Sequence, residues 1–260
     1  MKKFIAILMI GCFIFAFGIE AFAIENSENI IIQEGNEWFT LADIEDDGEE
    51  IAFYYNKGLE EINEKRLARS NFYYIAVPKY FQNDPTWGDT LMPCGHLQND
   101  IQNGVTEAPH KYHKVGCAMT AYAMVLKYYN HNVTPEDVAE RYQDNYGDCC
   151  NFNSFDLLSD YGRSRNLIRV SENSLQSVAT TIVGAISQDR PVVIKLYRGN
   201  NKYHFVVAYG YSVSSNGTVN ISIHDPTAEN PNANTLIGEC LTLSEAYNEV
   251  GPAESIAIVS

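Results

Sequence analysis

One cysteine in this chain stands where a cysteine can act as a nucleophile. Cys117 follows Gly116 and opens an apolar run that extends to about Tyr129 with helical spacing. Backbone N–H groups at a helix N-terminus carry a partial positive charge, which favours the thiolate and lowers the pKa of a thiol. A small buried core residue is the alternative interpretation of Cys117. The remaining motifs favour the nucleophile.

The chain offers one candidate for each partner that such a thiol needs. A thiol nucleophile requires a base, a group that orients the base, and a donor that faces the developing oxyanion. His204 opens a strand-like segment and Asp225 ends the next one, so antiparallel pairing would bring them together. Gln82 precedes an Asp-Pro-x-Trp turn and is the candidate oxyanion donor. His224 is a rival base, but neighbouring strand residues point to opposite faces, so it should not share a cleft with Asp225.

A helical first half and a sheet-forming second half must position these residues. Apolar periodicity and turn residues predict helices over residues 49–70, 117–129, 134–142, 154–163, 174–188 and 244–250. Segments rich in Val, Ile and Tyr predict strands over residues 72–77, 191–197, 203–213, 218–224 and 256–259. Residues 92–113 lack periodicity and are predicted as a long polar loop. The expected fold class is α+β, with a helical lobe that carries the cysteine helix packed on an antiparallel sheet lobe.

The N-terminal residues predict export. Residues 1–23 combine two lysines, an apolar stretch and Ala21-Phe22-Ala23, a pattern typical of a cleaved signal peptide, so the protein is expected to be secreted. A lipoprotein anchor at Cys12 is a weaker alternative. No later stretch approaches the length of a membrane span, and no membrane insertion is expected.

Residues 24–71 form a separate acidic segment before the domain expected over residues 72–260. Two interpretations stay open for this segment: a removable propeptide, or a packed extension. In the second case its apolar residues would bury against the domain, namely Ile51, Leu59, Ile62 and Leu67.

Charge and cysteine content exclude some partners. The formal net charge of −15 makes nucleic acid an improbable partner. Removal of the signal peptide leaves five cysteines, an odd number that suits one reactive thiol and two disulfides joining Cys94 and Cys240 to Cys149 and Cys150. Fully reduced cysteines are an equal alternative. Cys94 and His96 with that cysteine pair form only a weak zinc motif, and no cofactor is expected.

Together these motifs resemble the papain-like cysteine peptidases of the bacteriocin-leader-processing, or double-glycine, type in a free-standing secreted form. The matching segments are residues 80–87, 116–121, 123–129, 134–139, 204–207 and 224–226. The resemblance implies a papain-like fold in which Cys117, His204 and Asp225 form a triad. It also implies that Gln82 and the backbone N–H of Cys117 form the oxyanion hole.

The sequence departs from that family in two respects. Members fused to transporters cut after a Gly-Gly pair, whereas this chain has a signal-peptide pattern and no predicted membrane span, so that specificity does not carry over. The loop at residues 92–113 also lengthens the interval between Gln82 and Cys117. The expected function is a secreted cysteine peptidase or amidohydrolase acting on a peptide or protein. Acyl transfer by the same triad and a non-catalytic papain-like binding module are the alternatives. The sequence does not indicate the oligomeric state.

Overall fold

The computed structural model describes residues 31–34, 37–40, 48–67, 72–107, 110–147, 157–170, 175–200, 202–227 and 241–260. The signal peptide expected over residues 1–23 lies outside these ranges, as do Cys149, Cys150 and Cys240. The chain divides into two compact units, Met1–Gly48 and Glu49–Ser260. In the first unit, strands β1 (Ile31–Glu34) and β2 (Glu37–Thr40) pair antiparallel.

The helices fall largely where apolar periodicity predicts them. They are α1 (Gly48–Leu67), α2 (Gly95–Gln102), α3 (Tyr112–Val115), α4 (Cys117–Tyr128), α5 (Pro135–Tyr146), α6 (Leu157–Asp160), α7 (Leu175–Ile186) and α8 (Leu243–Glu249). A capping box starts α5: Thr134 Oγ1 accepts from the Asp137 N–H, and the Asp137 carboxylate accepts from the Thr134 N–H at 2.7 Å. The capping box thus begins the helix predicted from residue 134. The helix predicted over residues 154–163 is described only as the short α6.

The second half folds into an antiparallel sheet, as the sequence predicts. Its strands are β3 (Phe72–Tyr74), β4 (Arg165–Arg169), β5 (Val192–Tyr197), β6 (Tyr203–Val213), β7 (Val219–His224) and β8 (Ala253–Val259). Their order is β3-β6-β5-β8-β4, and β7 also pairs with β6. Strand β4 was not predicted, because its five residues include two arginines and an asparagine and show little apolar character.

The core lies between the cysteine helix and the sheet. Residues 118–126 of α4 are all buried, so this helix is enclosed on every side rather than amphipathic. Strand β5 is buried from Val192 through Leu196, which shows that both faces of the sheet are covered there. A helix held this firmly fixes the position of its first residue.

Helix α1 packs against α7 through two glycines. A Cβ atom on Gly58 would lie 1.9 Å from the Thr180 carbonyl oxygen, and one on Gly184 would lie 1.8 Å from the Tyr54 carbonyl oxygen. The backbones therefore approach as closely as they do only because both positions lack a side chain. Tyr54 is 1% exposed and Ile62 8% exposed.

The prediction of a structureless loop over residues 92–113 is wrong in part. This segment contains α2 and α3, and an isolated antiparallel bridge joins Leu91 to Lys111. The helix escaped prediction because eight residues with few apolar positions show no clear period. Cys94 is fully buried and disulfide-bonded, and its partner lies outside the described residues. The fully reduced alternative is therefore wrong for Cys94.

Candidate active site

Cys117 is the first residue of α4 and is partly exposed. Gly116 precedes it, and a Cβ atom there would lie 2.7 Å from the Tyr112 carbonyl oxygen. Any larger residue would push α3 away from α4 at this point. The Gly116 carbonyl accepts from both the backbone N–H and the hydroxyl of Thr120, which ties the first turn together. The sulfur is thus held at the positive end of a rigid helix.

The register of two neighbouring strands brings His204 to Asp225. Strands β6 and β7 pair with Val207 opposite His224. Continued by one residue, this register places Asp225 opposite Val206, two residues from His204 on the same face of β6. His204 Nε2 lies 2.8 Å from Asp225 Oδ1, and both side chains are almost completely buried.

Asp225 is held in place by the chain that follows it. Its Oδ1 also accepts from the Thr227 N–H at 2.8 Å, and the Asp225 residue is 0% exposed. A buried carboxylate is stable only when its oxygens are paired, and here the imidazole and a backbone N–H pair with the same oxygen. The carboxylate therefore fixes both the position and the tautomer of the His204 ring.

The other side of the His204 ring faces the thiol. His204 is hydrogen-bonded to Cys117, and because Nε2 is used by Asp225, this bond falls to Nδ1. The backbone N–H of Phe205 also donates to the Cys117 sulfur. The structure thus brings Cys117, His204 and Asp225 into one hydrogen-bonded row.

The contacts within the row shift the pKa values of Cys117 and His204 in opposite directions. Burial alone would raise the pKa of the Cys117 thiol, but the hydrogen bond and charge of His204 outweigh burial and lower that pKa below its ordinary value. Burial alone would lower the pKa of His204, but its hydrogen bonds to Asp225 and Cys117 raise it to about 10. A lowered thiol pKa beside a raised imidazole pKa favours a thiolate–imidazolium pair at neutral pH.

Gln82 is held by bonds to residues on both sides of the row. Its backbone N–H donates to the carbonyl of Pro226, which follows Asp225, at 2.8 Å. Its side-chain Nε2 donates to the carbonyl of His113, four residues before Cys117, at 2.7 Å. The amide group carries two hydrogens on Nε2, so one remains for another acceptor. Gln82 is 7% exposed, and water therefore competes little for that hydrogen.

A closed neck joins the two ends of the long insertion. The neck consists of three backbone hydrogen bonds, His113 N–H to Gly88, Tyr112 N–H to Thr90 and Met92 N–H to His110, all of 3.0 to 3.1 Å. His113 Nδ1 also lies 2.8 Å from the Gly88 carbonyl oxygen. The chain therefore returns to its starting point before it reaches Cys117.

His224 is not part of the row formed by Cys117, His204 and Asp225. Its Nε2 lies 3.0 Å from the Val77 carbonyl oxygen, and its ring stacks on Tyr209 with centroids 3.9 Å apart. Burial is the main cause that lowers the pKa of His224 to about 4, so the ring is neutral near pH 7. The side chain points away from Asp225, as strand alternation predicts.

Sequence reasoning missed the residues that act through their backbones. The Phe205 N–H contacts the sulfur and the His113 carbonyl orients Gln82, and neither role leaves a signature in the side-chain type. Within the described ranges, no group of three or more His, Cys, Asp or Glu residues is placed to hold a metal ion. None of the described helices is both long enough and apolar enough to cross a bilayer.

The fold and site together have the papain-like arrangement of the cysteine peptidases: a thiol opens a buried helix, and a histidine and an acid project from a facing antiparallel sheet. The chain belongs to the Peptidase C39 like family, whose model matches residues 74–254. The match contains Gln82, Cys117, His204 and Asp225. No curated protein matches the chain. The α+β papain-like fold and the resemblance to a peptidase of this type are thereby confirmed, and membership of the family suggests a cysteine-peptidase type of function.

Proposed function

We propose that this protein is a cysteine peptidase that hydrolyses a peptide bond through Cys117, His204 and Asp225, with Gln82 as an oxyanion donor. The observation that carries the proposal is the hydrogen-bonded row from thiol to imidazole to buried carboxylate, with 2.8 Å between His204 Nε2 and Asp225 Oδ1. Geometry of this kind is what nucleophilic thiol catalysis requires.

The first half of the reaction forms an acyl-enzyme. The Cys117 thiolate attacks the carbonyl carbon, and the carbonyl electron pair moves to the oxygen. The oxyanion accepts from the Cys117 backbone N–H and from the remaining Gln82 Nε2 hydrogen. When the tetrahedral intermediate collapses, the C–N bond breaks and His204 Nδ1 gives its proton to the leaving amine.

The second half releases the acyl group. His204, now neutral, takes a proton from water as that water attacks the thioester carbonyl. The C–S bond then breaks and its electron pair returns to the sulfur, so the carboxylic acid product leaves. The proton taken from water stays on His204, and the thiolate–imidazolium pair is restored. Asp225 holds the imidazole in position throughout and stabilises its charged form without taking the proton.

We further propose that the enzyme acts outside the cytoplasm. The signal-peptide pattern of residues 1–23 supports this, as does the disulfide at Cys94, because disulfides persist in oxidising compartments.

Labelling with a peptidyl vinyl sulfone tests the proposed nucleophile before any substrate is known. The thiolate adds to the vinyl carbon, and the resulting carbanion takes a proton from His204. We expect one adduct, at Cys117 by mass spectrometry, and labelling at least about 10²-fold slower in His204→Ala, the lower limit typical of a catalytic proton-transfer group. His131→Ala is the matched control, since His131 lies beyond the far end of α4. An adduct elsewhere, or equal rates in the two variants, would exclude the proposal.

A further inference from the structure

Two exposed cations lie at the tip of the hairpin that carries His204. The Arg198 N–H donates to the Lys202 carbonyl at 2.8 Å, so the two residues face each other across the hairpin just beyond the last strand pair. Gly199 and Asn200 make the turn with positive φ values of 79° and 53°. Both cationic side chains are exposed.

Strand alternation places both cations on the same sheet face as His204. Lys202 lies just before β6 and two residues before His204. The Arg198–Lys202 hydrogen bond continues the strand pairing by one residue, and residues two apart in paired strands point the same way. Leu196 is paired with His204, and Arg198 lies two residues beyond Leu196. The pair is thus one step further along the face that carries the base, about 7 Å from it at the Cα atoms.

The pair is electrostatically unfavourable in the protein alone. Like charges directly opposite each other destabilise a hairpin, and neither cation forms an ion pair with any other residue that the structure describes. The nearest described acid on the hairpin's neighbour β8, Glu254, instead pairs with Lys195 at 2.6 Å, and Lys195 Nζ lies 3.8 Å from the Tyr203 ring centroid. Lys195 and Tyr203 lie on the face of the sheet opposite to His204. Glu254 therefore pairs with a cation on that opposite face.

The two cations near His204 contrast with the acidic composition of the whole chain. The protein carries 33 acidic and 18 basic side chains, yet the two charged residues at the tip of this hairpin are both cations. A further exposed cation, Lys114, lies three residues before Cys117. The exposed acid Asp89 lies 3.7 Å from Lys111 rather than beside Arg198 and Lys202, so the hairpin tip keeps its two positive charges.

We propose that Arg198 and Lys202 form a subsite for an acidic side chain, aspartate or glutamate, of the peptide substrate. The inference rests on the proposed peptidase function and names its substrate class. A carboxylate between the two side chains would accept hydrogen bonds from the guanidinium and the ammonium group and would remove the repulsion between them.

Digestion of a random-sequence peptide pool, read by mass spectrometry, tests the subsite in the full chain. We expect Asp and Glu to be enriched over Asn and Gln at one position near the cut, by about fivefold to tenfold at low salt and less at high salt. The enrichment should vanish in Arg198→Gln/Lys202→Gln. It should become a preference for Lys and Arg in Arg198→Glu/Lys202→Glu. Lys57→Gln/Lys127→Gln removes two charges from other helices and should keep the preference.

A binding measurement separates this inference from the proposed function. Fluorescein-labelled Glu-containing and Gln-containing decapeptide pools are titrated against Cys117→Ala, which cannot turn over. Tighter binding of the Glu pool that is lost in the Arg198→Gln/Lys202→Gln background supports the subsite even if the wild type cleaves nothing. Equal binding of the two pools, or a preference that persists without the two cations, overturns the subsite even if cleavage occurs.

Discussion

The charge state of two side chains decides whether this site is reactive. Cys117 has a lowered pKa and His204 a raised one, so the thiolate–imidazolium pair exists in the pH interval between them. Reactivity rises as the pH increases through the Cys117 pKa, because the thiol ionises. It falls as the pH increases through the His204 pKa, about 10, because the imidazolium loses the proton that the reaction needs.

Replacement of Asp225 by Asn tests this assignment at the level of one atom. The substitution removes the carboxylate whose hydrogen bond and charge raise the His204 pKa, so the alkaline limb of vinyl sulfone labelling should move to lower pH by roughly one unit or more. The rate is measured from pH 5 to 11. Asp144→Asn, exposed on α5, is the control and should leave the limb in place. An unchanged alkaline limb in Asp225→Asn would contradict the role given to the carboxylate.

The juxtaposition of Cys117, His204 and Asp225 could be predicted because each has a distinctive side chain at the end of a periodic segment. Cys117 opens an apolar helix, and His204 and Asp225 bound neighbouring strands. The Phe205 N–H and the His113 carbonyl could not be predicted, since every residue has these groups and only tertiary structure aims them.

At the scale of elements, the contact of α1 with α7 depends on the absence of two side chains. Gly184→Ala would place a Cβ atom 1.8 Å from the Tyr54 carbonyl oxygen, so one helix must move and Tyr54 must lose packing. We expect a loss of about 1 to 3 kcal/mol in the free energy of unfolding, or more, measured by urea denaturation. Gly95→Ala, whose Cβ atom would meet only Gln143 Nε2 at 3.7 Å, should have a much smaller effect. Equal midpoints for the two variants would show that the helices have room to separate.

This contact also shows where element prediction fails. Periodicity locates α1 and α7. Glycine has a low helix propensity, so Gly58 and Gly184 count against a helix in a sequence, and nothing in the pattern shows that they face each other. Strand β4 and helix α2 could not be predicted from the sequence for a related reason. They are short and polar, and contacts with neighbouring elements stabilise them rather than their own sequence.

At the scale of the whole molecule, the question is whether α1 is a permanent part of the mature protein. Tyr54 and Ile62 are buried, and Tyr211 of β6 donates a hydrogen bond to Glu61 at 2.6 Å. These contacts favour a packed extension over a removable propeptide, although each interpretation suits the acidic composition equally well.

Truncation distinguishes the two interpretations. A chain that starts at residue 72 loses the buried side chains of Tyr54 and Ile62, each worth about 1.5 to 3 kcal/mol. It should therefore melt well below a chain that starts at residue 48. Thermal midpoint and vinyl sulfone labelling rate are measured on both chains, with the full chain as reference. A chain starting at residue 72 that keeps its midpoint and labels faster would identify a propeptide instead.

The closed neck between residues 88–92 and 110–113 makes the spacing of the candidate site independent of the length of the insertion. Because the chain re-enters the site where it left, the number of residues between Met92 and His110 does not set the distance from Gln82 to Cys117. Doubling the length of such a closed loop costs only about 0.6 kcal/mol. The exposed residues 102–107 of the insertion can therefore change in number, or accept a grafted recognition sequence, while the spacing between Gln82 and Cys117 is kept.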